Sequence, residues 1–249
     1  MTGLPPFGRT ALLLDLDGTL LDFAPTPESV LVPDGLRETL RTLRDRLDGA
    51  LAVVTGRPIE TIDRLLGDAP HAVAGEHGGV VRHAPNALAE RPDLPSPPAA
   101  WLDEAERQVA AFPGALLERK ARGFALHYRA VPAARPVFQA ALLAMIGDAG
   151  LFELMQGHLL WEVRPRGADK GCAVTSLMRR PPFAGRLPLF IGDDITDEDG
   201  MRVAATLGGG GLRVDAAFGT PSGVRAWLRE AADQGDWPVL PGGRNYAAD

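Results

Sequence analysis

The sequence predicts an α/β fold: a doubly wound, mostly parallel sheet interrupted by an inserted α+β module. Three observations carry that reading. Short, mainly apolar runs recur at residues 10–14, 50–54 and 187–191, each ending in polar residues or glycine. Stretches with helical spacing of leucines lie between them. From 85 to 163 the rhythm changes to helix, hairpin, helix, hairpin. Apolar runs bounded by turn residues read as buried strands, and strands alternating with helices favour a parallel sheet.

The elements follow in order. Residues 10–14 form a strand that opens into an acidic loop with Gly18. Leu36, Leu40, Leu43 and Leu47 fall on one helical face after the start signals Pro33 and Asp34. Residues 50–54 give a strand, 58–66 a helix and 71–74 a third strand, leading into Gly75-Glu76-His77-Gly78-Gly79. The proline-rich stretch 85–98 reads as a linker. A helix over 99–111 precedes a hairpin of 116–120 with 124–129 about Ala121-Arg122-Gly123. A helix over 133–145 precedes a second hairpin, 152–156 with 159–163, about Gly157-His158. Pro165 and Gly167 mark the return. A helix over 170–178, a strand over 187–191, an acidic loop over 192–199 and a short strand at 212–214 close the pattern. The glycine run 208–211 reads as a flexible turn. The expected domains are a core of 1–84 with 164–249 and an insert of 85–163.

Composition narrows the function. Of 249 residues, 45% are hydrophobic, enough for a substantial core, and the net charge is -6. A mildly acidic surface does not recruit nucleic acid or anionic lipid by bulk electrostatics. No apolar stretch suits a signal peptide or membrane span. With the single Cys172 no intrachain disulfide can form, which fits a cytoplasmic protein.

Four segments carry chemistry, and three of them end apolar strands. They are Asp15-Leu16-Asp17-Gly18-Thr19, Thr55-Gly56-Arg57, Lys170 at a helix start, and Gly192-Asp193-Asp194 with Asp197 a turn later. Singly they read as a turn, a helix cap, a solvated lysine and an acid-rich helix start. The last does not fit a calcium loop, because Ile195 stands where a ligand is needed. Ligands of open α/β sheets bind beyond the carboxyl ends of the strands, where these segments converge. Several carboxylates gathered there are costly unless a cation satisfies them. Mg²⁺ suits the set, because it takes few protein oxygens together with phosphate and water. Thr55 and Lys170 would then hold the remaining phosphate oxygens.

In chain order these segments resemble the four motifs of the haloacid dehalogenase superfamily, and the resemblance spans the chain. It implies a Rossmann-like core with the larger α+β cap. It also implies Asp15 as nucleophile, Asp17 as general acid and base, and Thr55 and Lys170 as the phosphate grip. Mg²⁺ would sit on Asp15, Asp193 and the Asp17 carbonyl, with Asp194 and Asp197 in support. Leu16 departs from the pattern, where an aromatic is common.

Further stretches resemble the trehalose-6-phosphate phosphatases: Glu118-Arg119-Lys120, His127-Tyr128-Arg129, Glu162-Val163-Arg164-Pro165, Asp169-Lys170-Gly171, and the acidic run through Asp199. The resemblance implies that Glu118, Lys120 and Glu162 bind hydroxyls of the distal glucose, with Gly56 and Arg57 also at the substrate. Carboxylates accept from vicinal hydroxyls while an ammonium donates. The expected partner is a small sugar phosphate, supplied by a trehalose-6-phosphate synthase, and the expected state is a monomer. Enzymes for sucrose phosphate or for glucosyl- or mannosyl-3-phosphoglycerate share the pattern; a carboxylate-bearing substrate would call on Arg122 or Arg129. A phosphorelay receiver is the non-enzymatic alternative, disfavoured by chain length and motif order. The Gly-x-His-Gly element keeps His77 beside the site, where a structural role is the expectation.

Overall fold

The computed structural model describes residues 3–24, 29–91, 93–120, 122–147, 150–157 and 159–241. The chain divides into two compact units. One comprises Met1–Arg91 with Asp169–Asp249, the other Pro92–Ala168.

The first unit is built on a six-stranded sheet. Its strands are β1 (Thr10–Leu14), β2 (Leu51–Val54), β3 (Ala72–Gly75), β4 (Val80–Arg82), β9 (Leu187–Gly192) and β10 (Gly210–Arg213), in the order β10-β9-β1-β2-β3-β4. All neighbours are parallel except β4, which returns antiparallel on β3. Every residue of β1, β2 and β3 is buried. Unbroken apolar strands of this kind need cover on both faces, which is why they read as runs and not as alternations.

Helix α1 (Leu36–Arg46) packs on α8 (Pro221–Gln234), and α5 (Lys170–Leu177) on α6 (Ile195–Thr206). Helix α1 buries the Leu36, Leu40 and Leu43 stripe that the spacing predicts. Helix α2 (Ile59–Leu66) contacts β3, and the short α7 (Val214–Ala217) contacts β10.

Three sequence expectations need correction or completion. Residues 192–199 do not form a loop throughout. Asp194 and Asp197 make a reciprocal capping box that satisfies the first N–H groups, so α6 already starts at Ile195. Gly210 and Gly211 are not turn residues but pair with Leu189 and Phe190 in β10. Strand pairing uses backbone groups alone and needs no side chain. Strand β4 and helix α8 have no counterpart among the predicted elements.

The second unit is a four-stranded antiparallel sheet in the order β5-β6-β8-β7. Its strands are β5 (Leu116–Arg119), β6 (Phe124–His127), β7 (Phe152–Gly157) and β8 (Leu160–Pro165). Helices α3 (Ala99–Ala110) and α4 (Arg135–Ile146) contact the strands. Phe124, Leu126, Trp161 and Val163 share a buried core with Phe138 and Leu142 of α4. The hairpin residues Ala121 and His158 lie outside the described residues.

Candidate active site

The carboxyl ends of β1, β2 and β9 form one rim. Parallel pairing sets Leu14 beside both Val53 and Ile191, so Asp15, Thr55 and Asp193 emerge at neighbouring strand ends. The Asp15 N–H donates to the Ile191 carbonyl at 2.9 Å and the Thr55 N–H to that of Ala74 at 2.9 Å. These bonds fix the start of each loop. Gly18 then turns the chain with φ 78°, and a Cβ there would stand 2.2 Å from Asp193 Oδ2. The position therefore requires glycine twice, for its backbone angle and for space.

Lys170, 3% exposed, is the hub. Its Nζ donates to Asp15 Oδ1 at 2.7 Å and to Asp197 Oδ1 at 2.5 Å. Asp169 aims it by capping α5, accepting from the Cys172 N–H at 2.8 Å. The other Asp197 oxygen accepts from the N–H groups of Asp193 and Asp194, both at 3.0 Å. Asp197 thus orients Lys170 and holds the Asp193 loop at once. Asp194 faces the helix, accepting from the Thr196 N–H at 2.7 Å. The Thr19 hydroxyl spans Asp15 Oδ2, at 3.5 Å, and Asp193 Oδ1, at 3.3 Å.

Burial sets the electrostatics. It pushes the Asp15 carboxyl well above the usual carboxylate range, against the pull of Lys170 and with a further push from Asp197. Asp193 is pushed up to about 6, by burial first and then by Asp197 and Asp194. Burial also raises Asp197, opposed by Lys170. At Lys170 burial works against the charge, but Asp15 and Asp197 outweigh it and raise the ammonium pKa. Carboxylate oxygens of Asp15, Asp193 and Asp197 lie within 4.8 Å of one another. Three carboxylates against one ammonium carry excess negative charge, and an oxygen-seeking divalent cation fits that excess. Asp15 and Asp193 are the better ligands: both Asp197 oxygens are held by Lys170 and two backbone N–H groups, whereas Asp15 Oδ2 and Asp193 Oδ1 meet only Thr19 among the described residues, at 3.5 and 3.3 Å.

Asp17 points to a different partner. Arg57 grips it with two parallel bonds, Nε to Oδ2 at 2.6 Å and Nη2 to Oδ1 at 2.8 Å. Beside it, Thr55 is buried and its hydroxyl accepts from the Arg57 N–H at 3.2 Å. The structure therefore brings together Asp15, Lys170, Asp193 and Asp197, and sets Asp17 with Arg57 and Thr55 on the adjoining loops.

In the second unit, residues directly paired across antiparallel strands share a face. Glu118 pairs with Ala125, Ala125 with Glu162 and Glu162 with Met155. These residues form one row on the face opposite the apolar core. Lys120 joins it, its Nζ lying 2.8 Å from Glu162 Oε1. His127 Nε2 lies 2.8 Å from Glu118 Oε2, and this hydrogen bond holds the Glu118 carboxyl below its ordinary range. Tyr128 belongs to the unit's core. Arg164 pairs with Glu153 at 2.7 Å, and Arg122 donates to the Leu94 carbonyl at 2.6 Å. Arg129 is exposed.

Sequence reasoning missed three contributors. Thr19 was legible, as the last residue of the first motif. Arg213 gave no signal: it donates to the Asp193 carbonyl at 2.8 Å from 20 residues away. Phe23 is 75% exposed, with Cζ 2.7 Å from the position of a Cβ on Gly18.

A carboxylate after the first strand, a buried lysine on it and an acidic pair from the neighbouring strand define a phosphatase of the haloacid dehalogenase superfamily. The likeness to solved structures agrees at the level of fold. Aspergillus fumigatus trehalose-6-phosphate phosphatase aligns with TM-score 0.60 and 24% identity, covering 90% of this chain and 93% of that one. The C-terminal domain of the C. albicans trehalose-6-phosphate phosphatase aligns with TM-score 0.73 and 20% identity, covering 91% and 93%. The chain belongs to the trehalose-phosphatase family, whose model matches residues 13–224. It is 34% identical over 239 residues to the trehalose-6-phosphate phosphatase of Escherichia coli (strain K12), across 92% of this chain and 85% of that protein. It is 38% identical over 205 residues to a probable trehalose-phosphate phosphatase of Sinorhizobium fredii, across 82% and 77%.

Proposed function

We propose that this chain hydrolyses trehalose 6-phosphate to trehalose and phosphate through an aspartyl-phosphate on Asp15. The observation that carries the reading is Lys170, buried between Asp15 and Asp197 while Thr19 joins Asp15 to Asp193. Family membership and the row of Glu118, Glu162 and Lys120 point to the sugar.

In the first step an Asp15 oxygen attacks phosphorus and the bond to the glucose 6-oxygen breaks. Asp17 gives its proton to that departing oxygen. In the second step Asp17 takes a proton from water, the water oxygen attacks phosphorus, and Asp15 is released as carboxylate. Arg57 holds the Asp17 carboxyl at the rim by two parallel bonds, which sets where the proton donor starts. Thr55 and Lys170 hold the phosphoryl oxygens. Mg²⁺, held by Asp15, Asp193 and the Asp17 carbonyl, would supply positive charge that offsets repulsion between carboxylate and phosphate. Gly56 and Arg57 line the substrate, and Asp194 keeps the acidic loop in register with α6.

The second unit, Pro92–Ala168 where the sequence suggests 85–163, acts as the specificity cap, and the first unit, expected over 1–84 and 164–249, as the catalytic core. Glu118 and Glu162 accept from glucose hydroxyls and Lys120 donates. A glycerate-bearing substrate would need a cation for its carboxylate; Arg122 is already bonded to a backbone carbonyl, which leaves that role to the exposed Arg129. The same reading makes the chain a cytoplasmic monomer that consumes the product of a trehalose-6-phosphate synthase. No helix among the described residues is long and apolar enough to cross a membrane.

The test is phosphate release from trehalose 6-phosphate with and without Mg²⁺, beside sucrose 6-phosphate and glucosyl-3-phosphoglycerate. Turnover of trehalose 6-phosphate that needs Mg²⁺ and exceeds the other two is expected. Equal rates on all three would remove the substrate from the reading, and turnover in excess chelator would remove the metal.

A further inference from the structure

Between β3 and β4 the backbone does something costly. Glu76, His77 and Gly78 follow one another with φ of 52°, 56° and 99°. Two successive side-chain-bearing residues in the left-handed region are strained and persist only where the surroundings hold them.

What holds it is the phosphate-gripping machinery on both sides. On one side the His77 N–H donates to the Thr55 carbonyl at 2.9 Å and the Glu76 N–H to the Arg57 carbonyl at 3.1 Å. The imidazole lies against Gly56, so that a Cβ on Gly56 would stand 2.5 Å from His77 Nε2 and 2.7 Å from Cε1. On the other side Gly78 presses on the start of α5. A Cβ at Gly78 would meet the Asp169 carbonyl at 2.7 Å and Ala173 Cβ at 3.2 Å. Asp169 caps the helix whose first residue is Lys170. The carboxylate of Glu76 in turn pairs with Arg91 at 3.3 Å.

We infer that the 76–78 turn is a wedge that sets the spacing between the Thr55-Gly56-Arg57 loop and Lys170, with His77 as its positioning residue. It rests on the reading of Thr55 and Lys170 as the phosphate grip. The left-handed backbone puts the ring on Gly56 and Gly78 on the α5 start simultaneously; a relaxed turn loses one of the two contacts. His77 acts through the loop and touches the phosphoryl group's partners, not the sugar.

Four variants test this, H77G, G56A, G56A/H77G and H77N, with Tm recorded for each. H77G keeps the left-handed backbone and removes the ring. G56A adds the methyl that meets the ring; Gly56 has no positive φ, so the methyl meets the contact and not backbone strain. G56A/H77G has both changes. For H77G, kcat should fall about 10- to 100-fold from a small misplacement of the grip. The loss should be equal on trehalose 6-phosphate and on p-nitrophenyl phosphate, with weaker binding of inorganic phosphate by calorimetry. The double variant should be more active than G56A alone, because removing the ring makes room for the methyl. H77N should retain part of the activity, since asparagine tolerates the left-handed region.

A loss confined to the sugar ester would make His77 a sugar contact and overturn the wedge. So would a double variant no better than G56A, or wild-type kinetics in H77G. If the wild-type protein turns over p-nitrophenyl phosphate but not trehalose 6-phosphate, the proposed substrate fails while the wedge is still read on the former. If it turns over neither, the same order of variants is read from inorganic phosphate binding.

Discussion

The two units enclose charge to different degrees, and the Lys120–Glu162 pair, 17% and 12% exposed, lies between the extremes. In the first, Lys170 and Asp197 are almost fully enclosed, and the lysine meets a carboxylate 155 positions away. In the second, the Glu118 and His127 side chains are 48% and 33% exposed and nine positions apart. Enclosed charges of this kind destabilise unless each is matched, so the core set tolerates few changes. Partly exposed pairs are worth about 1 kcal/mol or less, so they can exchange protein partners for substrate hydroxyls. The difference suits a split of labour, with fixed chemistry in one unit and adjustable recognition in the other.

Variants can break that comparison. The largest effect belongs to Asp15→Asn, which should lower kcat by about 10³-fold or more by removing the attacking carboxylate. Single-turnover assays with radiolabelled substrate should also lose the covalent phosphoenzyme. Residual turnover near the wild-type rate would end the assignment of Asp15.

Next comes Arg57→Gln, which frees Asp17 from its grip. If the pair positions the proton donor, kcat on the sugar ester should fall about 10²-fold, the usual scale of acid–base assistance. The p-nitrophenyl ester, whose leaving group needs no proton, should suffer much less. Parallel losses on both esters would assign Arg57 to the phosphate instead.

In the second unit, Glu162→Gln should raise KM for trehalose 6-phosphate about 10-fold, the loss of one charge-assisted hydrogen bond. The kinetics of p-nitrophenyl phosphate should stay within about twofold if the row recognises sugar alone. Equal damage to both substrates would erase the contrast between the units.

The smallest effect is one of pH. Asp193 has a folded pKa near 6, above its ordinary 3.8. The folded protein therefore binds the extra proton between those values, so metal-free stability should decline as pH rises through that window and level off above it. Mg²⁺ needs the ionised carboxylate, so the rise in Tm on adding it should be larger at pH 7.5 than at pH 5. A metal-induced shift of the same size at both pH values would separate Asp193 from the metal.

Much of the site was legible because its pieces are local. Asp15, Thr55 and Asp193 end or follow apolar runs, and a parallel sheet gathers such ends at one rim. Glu118 and Glu162 came from short stretches, and pairing through Ala125 then aligned them on one face. Arg57 was read toward substrate, but its guanidinium lies on Asp17. Nothing in a Thr-Gly-Arg string distinguishes those targets. The acidic run at 193–199 admits two readings, a loop and an acid-rich helix start, because loops and helix caps favour the same residues. The capping box shows those acids serving the first turn of α6.

From residue order alone came the alternation of strand and helix, the apolar faces and the chemical types gathered at the rim, since these depend on neighbours a few positions apart. Folding decided the rest: which carboxylate Lys170 reaches, what Arg57 holds, and how the strained turn at 76–78 lodges between loop and helix. Those outcomes depend on contacts between distant segments, where ångström differences in packing select one partner among several of like chemistry.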